Sequence, residues 1–252
     1  MGYIIINLKD IYNSIGEKKT KEKLKEFECD QNKDVEYFIR EKAIEFSKQL
    51  IAETFIVMAE YKGENVIVGY FSITNKSIII RNTLLCNSKR KALIKYARFD
   101  QEAKGYQMAL PLIGQLGKNF RNGYNNLITG DELLKLACDK IKVALEVLGG
   151  KFIYLECEDK EVLREFYESN GFVCFSKRNL EKDEKDKNSG DYLLQMICDI
   201  SKNWYLKSTV KQYSFLYKIL PKQKQQCLGD LPKQNLTFWK MFGWMFEKVE
   251  KS

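Results

Sequence analysis

The chain contains no histidine. That one absence removes Cys/His zinc patterns, Ser-His-Asp triads and Cys-His dyads together. A general base must then be a carboxylate, a lysine, a tyrosine or water. Seven cysteines (Cys29, Cys86, Cys138, Cys157, Cys174, Cys198, Cys227) form an odd set without a CxxC pair. They read as reduced, mostly buried thiols acting as small hydrophobes, and no metal is expected. No apolar run approaches the roughly 20 residues of a membrane-spanning helix. The Tyr3–Ile6 patch is short and lacks the basic leader of a signal peptide. These features predict a cytoplasmic protein without a transmembrane segment. Internal repeats are also missing.

What is present suits one large domain, or one domain with an appendage: 252 residues, of which 44% are hydrophobic. Charge is spread unevenly. Residues 201–252 hold ten lysines against Asp230, Glu247 and Glu250, a net of +7 out of the total +8. The first 200 residues are therefore nearly neutral. We divide the chain into a domain over 1–200 and a basic, aromatic extension over 201–252.

Local patterns predict the elements. Asp30 or Asn32 is placed to cap a helix whose Val35, Phe38, Ile39, Ala43, Phe46 and Leu50 recur at helical spacing. Thr54–Met58 and Val66–Ile73 read as a hairpin around Lys62–Asn65. Residues 88–98 read as a short basic helix, and Met108–Lys118 as an apolar strand. A polar loop from Asn119 to Gly130 precedes a long helix, Asp131 to about Leu148, stopped by Gly149-Gly150. A strand over Phe152–Cys157, a short helix containing Tyr167, and strands at Phe172–Ser176 and Tyr192–Ile200 complete the order. The Lys177–Asn188 stretch is read as a charged, solvated loop. The fold class is α+β (mixed α/β), a central mixed sheet flanked by helices, with a C-terminal helical extension.

The segment Tyr154–Phe172, with Phe-Tyr-Glu-Ser-Asn-Gly-Phe at 166–172, resembles the second half of the acyl-CoA site in the GCN5-related N-acetyltransferase (GNAT) superfamily. Asn125-Asn-Leu-Ile-Thr-Gly130 matches that family's Arg/Gln-x-x-Gly-x-Gly/Ala loop. Gly130 stands at the last glycine, Ile128 replaces the first, and Asn125 replaces the Arg or Gln. A Cβ at 128 limits close approach to a phosphate. A second likeness covers Phe27-x-Cys29, Val35-x-x-Phe38-Ile39-x-x-x-Ala43, Thr54 and Val68–Phe71. It is to the subgroup containing toxins that acetylate aminoacyl-tRNA and related phage and Firmicute proteins. The resemblance spans about residues 25–200.

The resemblance implies a GNAT-like sheet and acetyl-CoA as co-substrate. Tyr167 would protonate the departing thiolate, against the alternative of a core aromatic. Backbone groups of Leu116, Gly117 and Lys118 would meet the acyl-pantetheine. Asn126, Ile128, Thr129, Gly130 and Asp131 would surround the diphosphate, the Asp131 side chain turned away. Lys160 would pair with phosphate or remain a solvated charge. Glu156 or Glu158 would relay a proton through water, or serve only across strands. Gln115 and Asn119 are candidates to orient substrate. Lys89, Arg90, Lys91, Lys95, Arg98 and Lys104 would either contact RNA phosphates or form a solvated face.

The acceptor is an amine on a small molecule, a protein or an aminoacyl-tRNA. A homodimer is a further possibility. The alternatives are an aminoacyl-tRNA acetylating toxin of a toxin–antitoxin pair and a non-catalytic scaffold. In the extension, Phe238, Met241, Phe242, Met245 and Val249 share one helical face. That face would pack on the domain or a second copy, dock a partner, or meet nucleic acid or an anionic membrane.

Overall fold

The computed structural model describes residues 2–81, 91, 94–180 and 190–201. The expectations for the extension past residue 201, for residues 88–90 and 92–93 of the basic stretch and for the loop over 181–189 lie outside the described residues.

The isoleucine-rich start is an edge strand, β1 (Tyr3–Asn7), whose β-branched side chains favour extended backbone. Asn7 then caps α1 (Leu8–Ile15), accepting from the Lys9 N–H at 2.8 Å. Gly16, at φ 83°, turns the chain into α2 (Glu17–Leu24), which buries only Thr20 and Leu24 and leaves its lysines in water. Asn32 is the cap of the next helix, accepting from the N–H groups of Asp34 and Val35 at 3.0 and 3.3 Å. The predicted continuous helix is instead α3 (Lys33–Tyr37), a wider π-type turn over Phe38–Lys42, and α4 (Ala43–Lys48). Within that turn Arg40 donates to the carbonyls of Phe27 and Lys25 at 2.9 and 3.1 Å.

The predicted hairpin is present and longer than its apolar runs suggested. Strands β2 (Glu53–Tyr61) and β3 (Glu64–Arg81) meet through Lys62 and Gly63, both at positive φ, the geometry that matches strand twist. A short β4 (Arg98–Asp100) and a long β5 (Gly105–Lys118) follow, so Arg98 opens a strand where a helix was expected. The remaining elements are α5 (Gly130–Leu148), β6 (Phe152–Glu158), α6 (Glu161–Ser169), β7 (Val173–Asn179) and β8 (Tyr192–Asp199). Lys177 to Asn179, expected in the loop, extend β7.

The strands form one mixed sheet in the order β1-β2-β3-β5-β6-β8-β7, with β4 paired to β5. Only β5 and β6 run parallel. On one face, α3 and the π-type turn bury Val35 and Ile39 with Phe27 and Tyr70. Helix α5 buries Leu133, Leu134, Ala137 and Ile141. Two glycines permit this close packing. A Cβ on Gly117 would lie 2.3 Å from Val35, and one on Gly69 would lie 3.2 Å from Leu133. No helix among the described residues is long and apolar enough to cross a membrane.

Candidate acyl-transfer site

Strands β5 and β6 pair at only two positions, Leu112 with Tyr154 and Ile113 with Leu155. Beyond them β5 stays attached to β3 and β6 to β8, so the sheet forks. A bulge coincides with the fork. Ser72 of β3 faces Gln115 while Ile73 faces Ile113, leaving Gly114 as the extra residue. Gly114 is exposed, and a Cβ there would meet nothing within 4 Å. Bare, unpaired backbone thus lines an opening between two strands.

Leu116, Gly117 and Lys118 lie past the bulge, paired with Phe71, Tyr70 and Gly69. Gly117 is a packing glycine under Val35, while Leu116 and Lys118 are half-buried. Burial lowers the Lys118 ammonium pKa, against the opposing field of Glu132, which places this lysine beside the start of α5. The stretch of β5 that is unpaired with β6 begins at Gly114, two residues before Leu116. Gly114, one of two glycines inside the apolar strand, was the available signal.

Two expected substrate contacts are otherwise engaged. Asn119 is fully buried: its Oδ1 accepts from Glu28 and Arg121 N–H at 2.9 and 3.1 Å, and its Nδ2 donates to Ile67 and Glu26 carbonyls at 2.8 and 3.3 Å. It has no hydrogen-bonding capacity left for a ligand and serves to tie the end of β5 to the 26–28 segment. Gln115 donates to Asp34 on α3 at 3.3 Å.

After β5 the chain winds through short 3-10 turns over Arg121–Leu127, with Asn122 and Gly123 at φ 51° and 75°. Asn126 is exposed, whereas the Ile128 side chain is buried in the core and can offer only backbone to a ligand. Thr129 and Glu132 form a capping box at the start of α5. The Glu132 carboxylate accepts from the Thr129 N–H at 2.8 Å, and the Thr129 hydroxyl accepts from the Glu132 N–H at 3.1 Å. Burial opposes ionisation of Glu132, but bonds from Thr129 and Tyr3 outweigh it and hold the carboxyl below its ordinary value. Tyr3 is in turn pushed up to about 12 by burial and by Glu132, and donates to the Leu127 carbonyl at 3.1 Å.

Gly130 and Asp131 are the first two residues of the helix, whose N–H groups have no partner one turn back. A Cβ on Gly130 would lie 3.0 Å from the Phe166 ring. The Asp131 carboxylate accepts from the Asn170 side-chain amide at 2.6 Å, so it is tied to the end of α6.

Tyr167 lies on α6, its ring centroid 4.9 Å from that of Phe166 and 5.9 Å from that of Phe172. Cys157 of β6 and Cys138 of α5 are near enough to act on its phenol electrostatically. Burial, then those two thiols, push the phenol well above its ordinary pKa. Its proton therefore stays in place at neutral pH. No protein hydrogen bond to the Tyr167 hydroxyl occurs among the described residues. Lys160, just before α6, pairs with Glu158 at 2.6 Å instead of turning to the loop.

Glu156 is not a free base either. Arg178 donates to it through Nε and a terminal nitrogen at 3.0 and 2.8 Å, Lys76 at 3.1 Å, and Tyr154 through its hydroxyl. Burial raises its pKa, but these bonds outweigh that effect and keep it ionised. No cluster of three or more Cys, Asp or Glu able to hold a metal occurs among the described residues.

No family model matches the sequence, and no curated protein matches it. Solved structures are similar in fold. AtaTR bound with AcCoA aligns with a TM-score of 0.50 and 16% identity, over 79% of this chain and 94% of that one. A Tyr-to-Phe mutant of KacT aligns at 0.50 and 12%, over 77% and 94%. AtaT complexed with acetyl-methionyl-tRNAfMet aligns at 0.49 and 14%, over 86% and 99%. The chain shares the mixed α/β fold of AtaTR and KacT, in keeping with the fold class read from its sequence.

Proposed function

We propose that residues 1–200 form an acetyl-CoA-dependent N-acetyltransferase that moves an acetyl group directly to a primary amine in a ternary complex. The observation that carries this reading is the open fork at Gly114, together with a Tyr167 phenol that keeps its proton and has no hydrogen-bond partner among the described residues. Acetyl-CoA supplies the thioester. The unpaired backbone at Gly114 and the free edge of Leu116–Lys118 receive the acyl-pantetheine. The Asn126–Asp131 turn takes the diphosphate through the Gly130 and Asp131 N–H groups. As the amine nitrogen bonds to the carbonyl carbon and the carbon–sulfur bond breaks, Tyr167 gives its proton to sulfur. The proton leaving the amine passes to water, and the phenol is restored from solvent.

The engaged state of both β6 carboxylates favours one class of acceptor. Glu156 is held by Arg178, Lys76 and Tyr154, and Glu158 by Lys160. An amine that is substantially neutral near pH 7–8 needs no dedicated base, and an α-amino group, with a pKa of about 7.7–8.0, comes far nearer that condition than a lysine side chain at about 10.4. Aminoacyl-tRNA is thus the favoured acceptor, and the protein would act as a toxin with a neutralising partner. Arrest of growth on expression, with acetylated aminoacyl-tRNA in the arrested cells, is the expected result.

The enzyme and scaffold readings separate on Tyr167→Phe. Loss of transfer with acetyl-CoA binding intact supports the enzyme. Undiminished activity in the same variant overturns the role given to Tyr167.

A further inference from the structure

Where the backbone ladder between β5 and β6 ends, side chains take over. Glu156 follows Leu155, the last β6 residue paired with β5. Lys76 reaches it from β3, across β5, with Nζ 3.1 and 3.2 Å from the two carboxylate oxygens. Arg178 reaches it from β7, across β8, in a two-pronged contact at 3.0 and 2.8 Å. Tyr154 donates to the same carboxylate and accepts from the Gln195 side chain at 2.7 Å. Each cation skips one strand, and the two come from opposite halves of the forked sheet.

The Glu156 side chain is only 10% exposed. Ion pairs this enclosed contribute little over well-packed apolar residues, because desolvation offsets attraction. An apolar alternative was at hand, since Tyr154 already packs in a cluster with Leu110, Leu112 and Phe175. What the charged arrangement adds is fixed geometry: one carboxylate clamped from both sides of the place where backbone pairing stops.

We infer that Glu156, gripped by Lys76 and Arg178, is a positioning residue that sets the width of the β5–β6 fork and hence the seat of the thioester. This rests on the acetyltransferase reading above. The geometry separates two effects. Losing Lys76 frees the β3–β5 half while Glu156 keeps Arg178 and Tyr154, so no buried charge is orphaned and the protein folds.

The test is Lys76→Met, with Lys76→Arg as the conservative control, read by acetyl-CoA calorimetry and by amide hydrogen exchange over 112–118 and 153–158. In Lys76→Met the acetyl-CoA Kd rises at least about tenfold, equivalent to about 1.4 kcal/mol. Exchange across the fork speeds up in the ligand-free protein, and Lys76→Arg restores both. Unchanged Kd and unchanged exchange in Lys76→Met, whatever happens to its melting temperature, overturn the inference. If the wild-type protein binds no acetyl-CoA, the acetyltransferase reading falls by itself. Exchange then decides on the strut: faster exchange in Lys76→Met supports it, and unchanged exchange overturns it.

Discussion

The two ends of the proposed coenzyme path are built differently. At the fork, Gly114 presents bare backbone to open space. At the loop, the start of α5 is already occupied by its own side chains, with Glu132 on the Thr129 N–H and Asp131 on Asn170. If the proposed function holds, the thioester end would be pre-formed, whereas the diphosphate end would share its donors with a carboxylate that the chain itself supplies. On the proposed function, strand geometry would do more of the binding work than the glycine loop, which has Ile128 where close approach is usual.

Four perturbations probe that contrast, from the largest expected effect to the smallest. Tyr167→Phe lowers turnover by about 10²–10⁴-fold, the usual contribution of a positioned acid, while acetyl-CoA affinity and melting temperature stay near wild type. Asn119→Ala removes a buried side chain with four hydrogen bonds. It costs about 3 kcal/mol in urea unfolding, because several buried backbone groups lose their partners. Gly130→Leu drives a side chain into Phe166 at the loop end. Overpacking of this kind costs about 1–3 kcal/mol and weakens acetyl-CoA binding, measured by calorimetry. Glu132→Gln removes a negative charge from the α5 N-terminus and tightens acetyl-CoA binding by about 0.3–1 kcal/mol. Weaker binding in that variant would mean the capping box orders the loop for the coenzyme.

Acid sensitivity bears on the same regions. Glu132 and Glu156 are both held below the ordinary 4.5 in the folded protein. A depressed folded pKa gives stability that is present above the unfolded value and lost as pH falls through the folded one. Urea midpoints should therefore hold from neutral pH to about 5 and decline below that. An undiminished acid decline in a Glu132→Gln, Glu156→Gln double variant would contradict this assignment.

What was legible in the sequence followed local rules. The hairpin at Lys62-Gly63 and the α5 stripe are set by turn chemistry and periodicity, whereas the Phe166–Phe172 segment stood out by its family resemblance. The capping box was equally readable, since Thr129-Gly-Asp-Glu132 carries the spacing in full, but the family likeness drew attention to glycines instead. The fork was not readable, because it depends on where β5 and β6, more than forty residues apart in sequence, cease to pair. Glu156 shows the same limit. Its partners Lys76 and Arg178 lie 80 and 22 residues away, so alternation alone allowed a cross-strand role but could not name the cations that hold it. Helices α1 and α2 were missed because a charged run hid the two buried positions, Thr20 and Leu24, that anchor α2.

The most direct measurement is an acetyl-CoA titration by calorimetry of the wild-type protein beside Gly114→Val. The valine side chain enters open space and leaves the fold intact, and on this account it would obstruct a ligand's approach to the bare backbone at the fork. Saturable one-site binding by the wild type, lost in Gly114→Val, is the predicted result. Equal binding by both proteins, or none by the wild type at millimolar ligand, would contradict a coenzyme seat between β5 and β6.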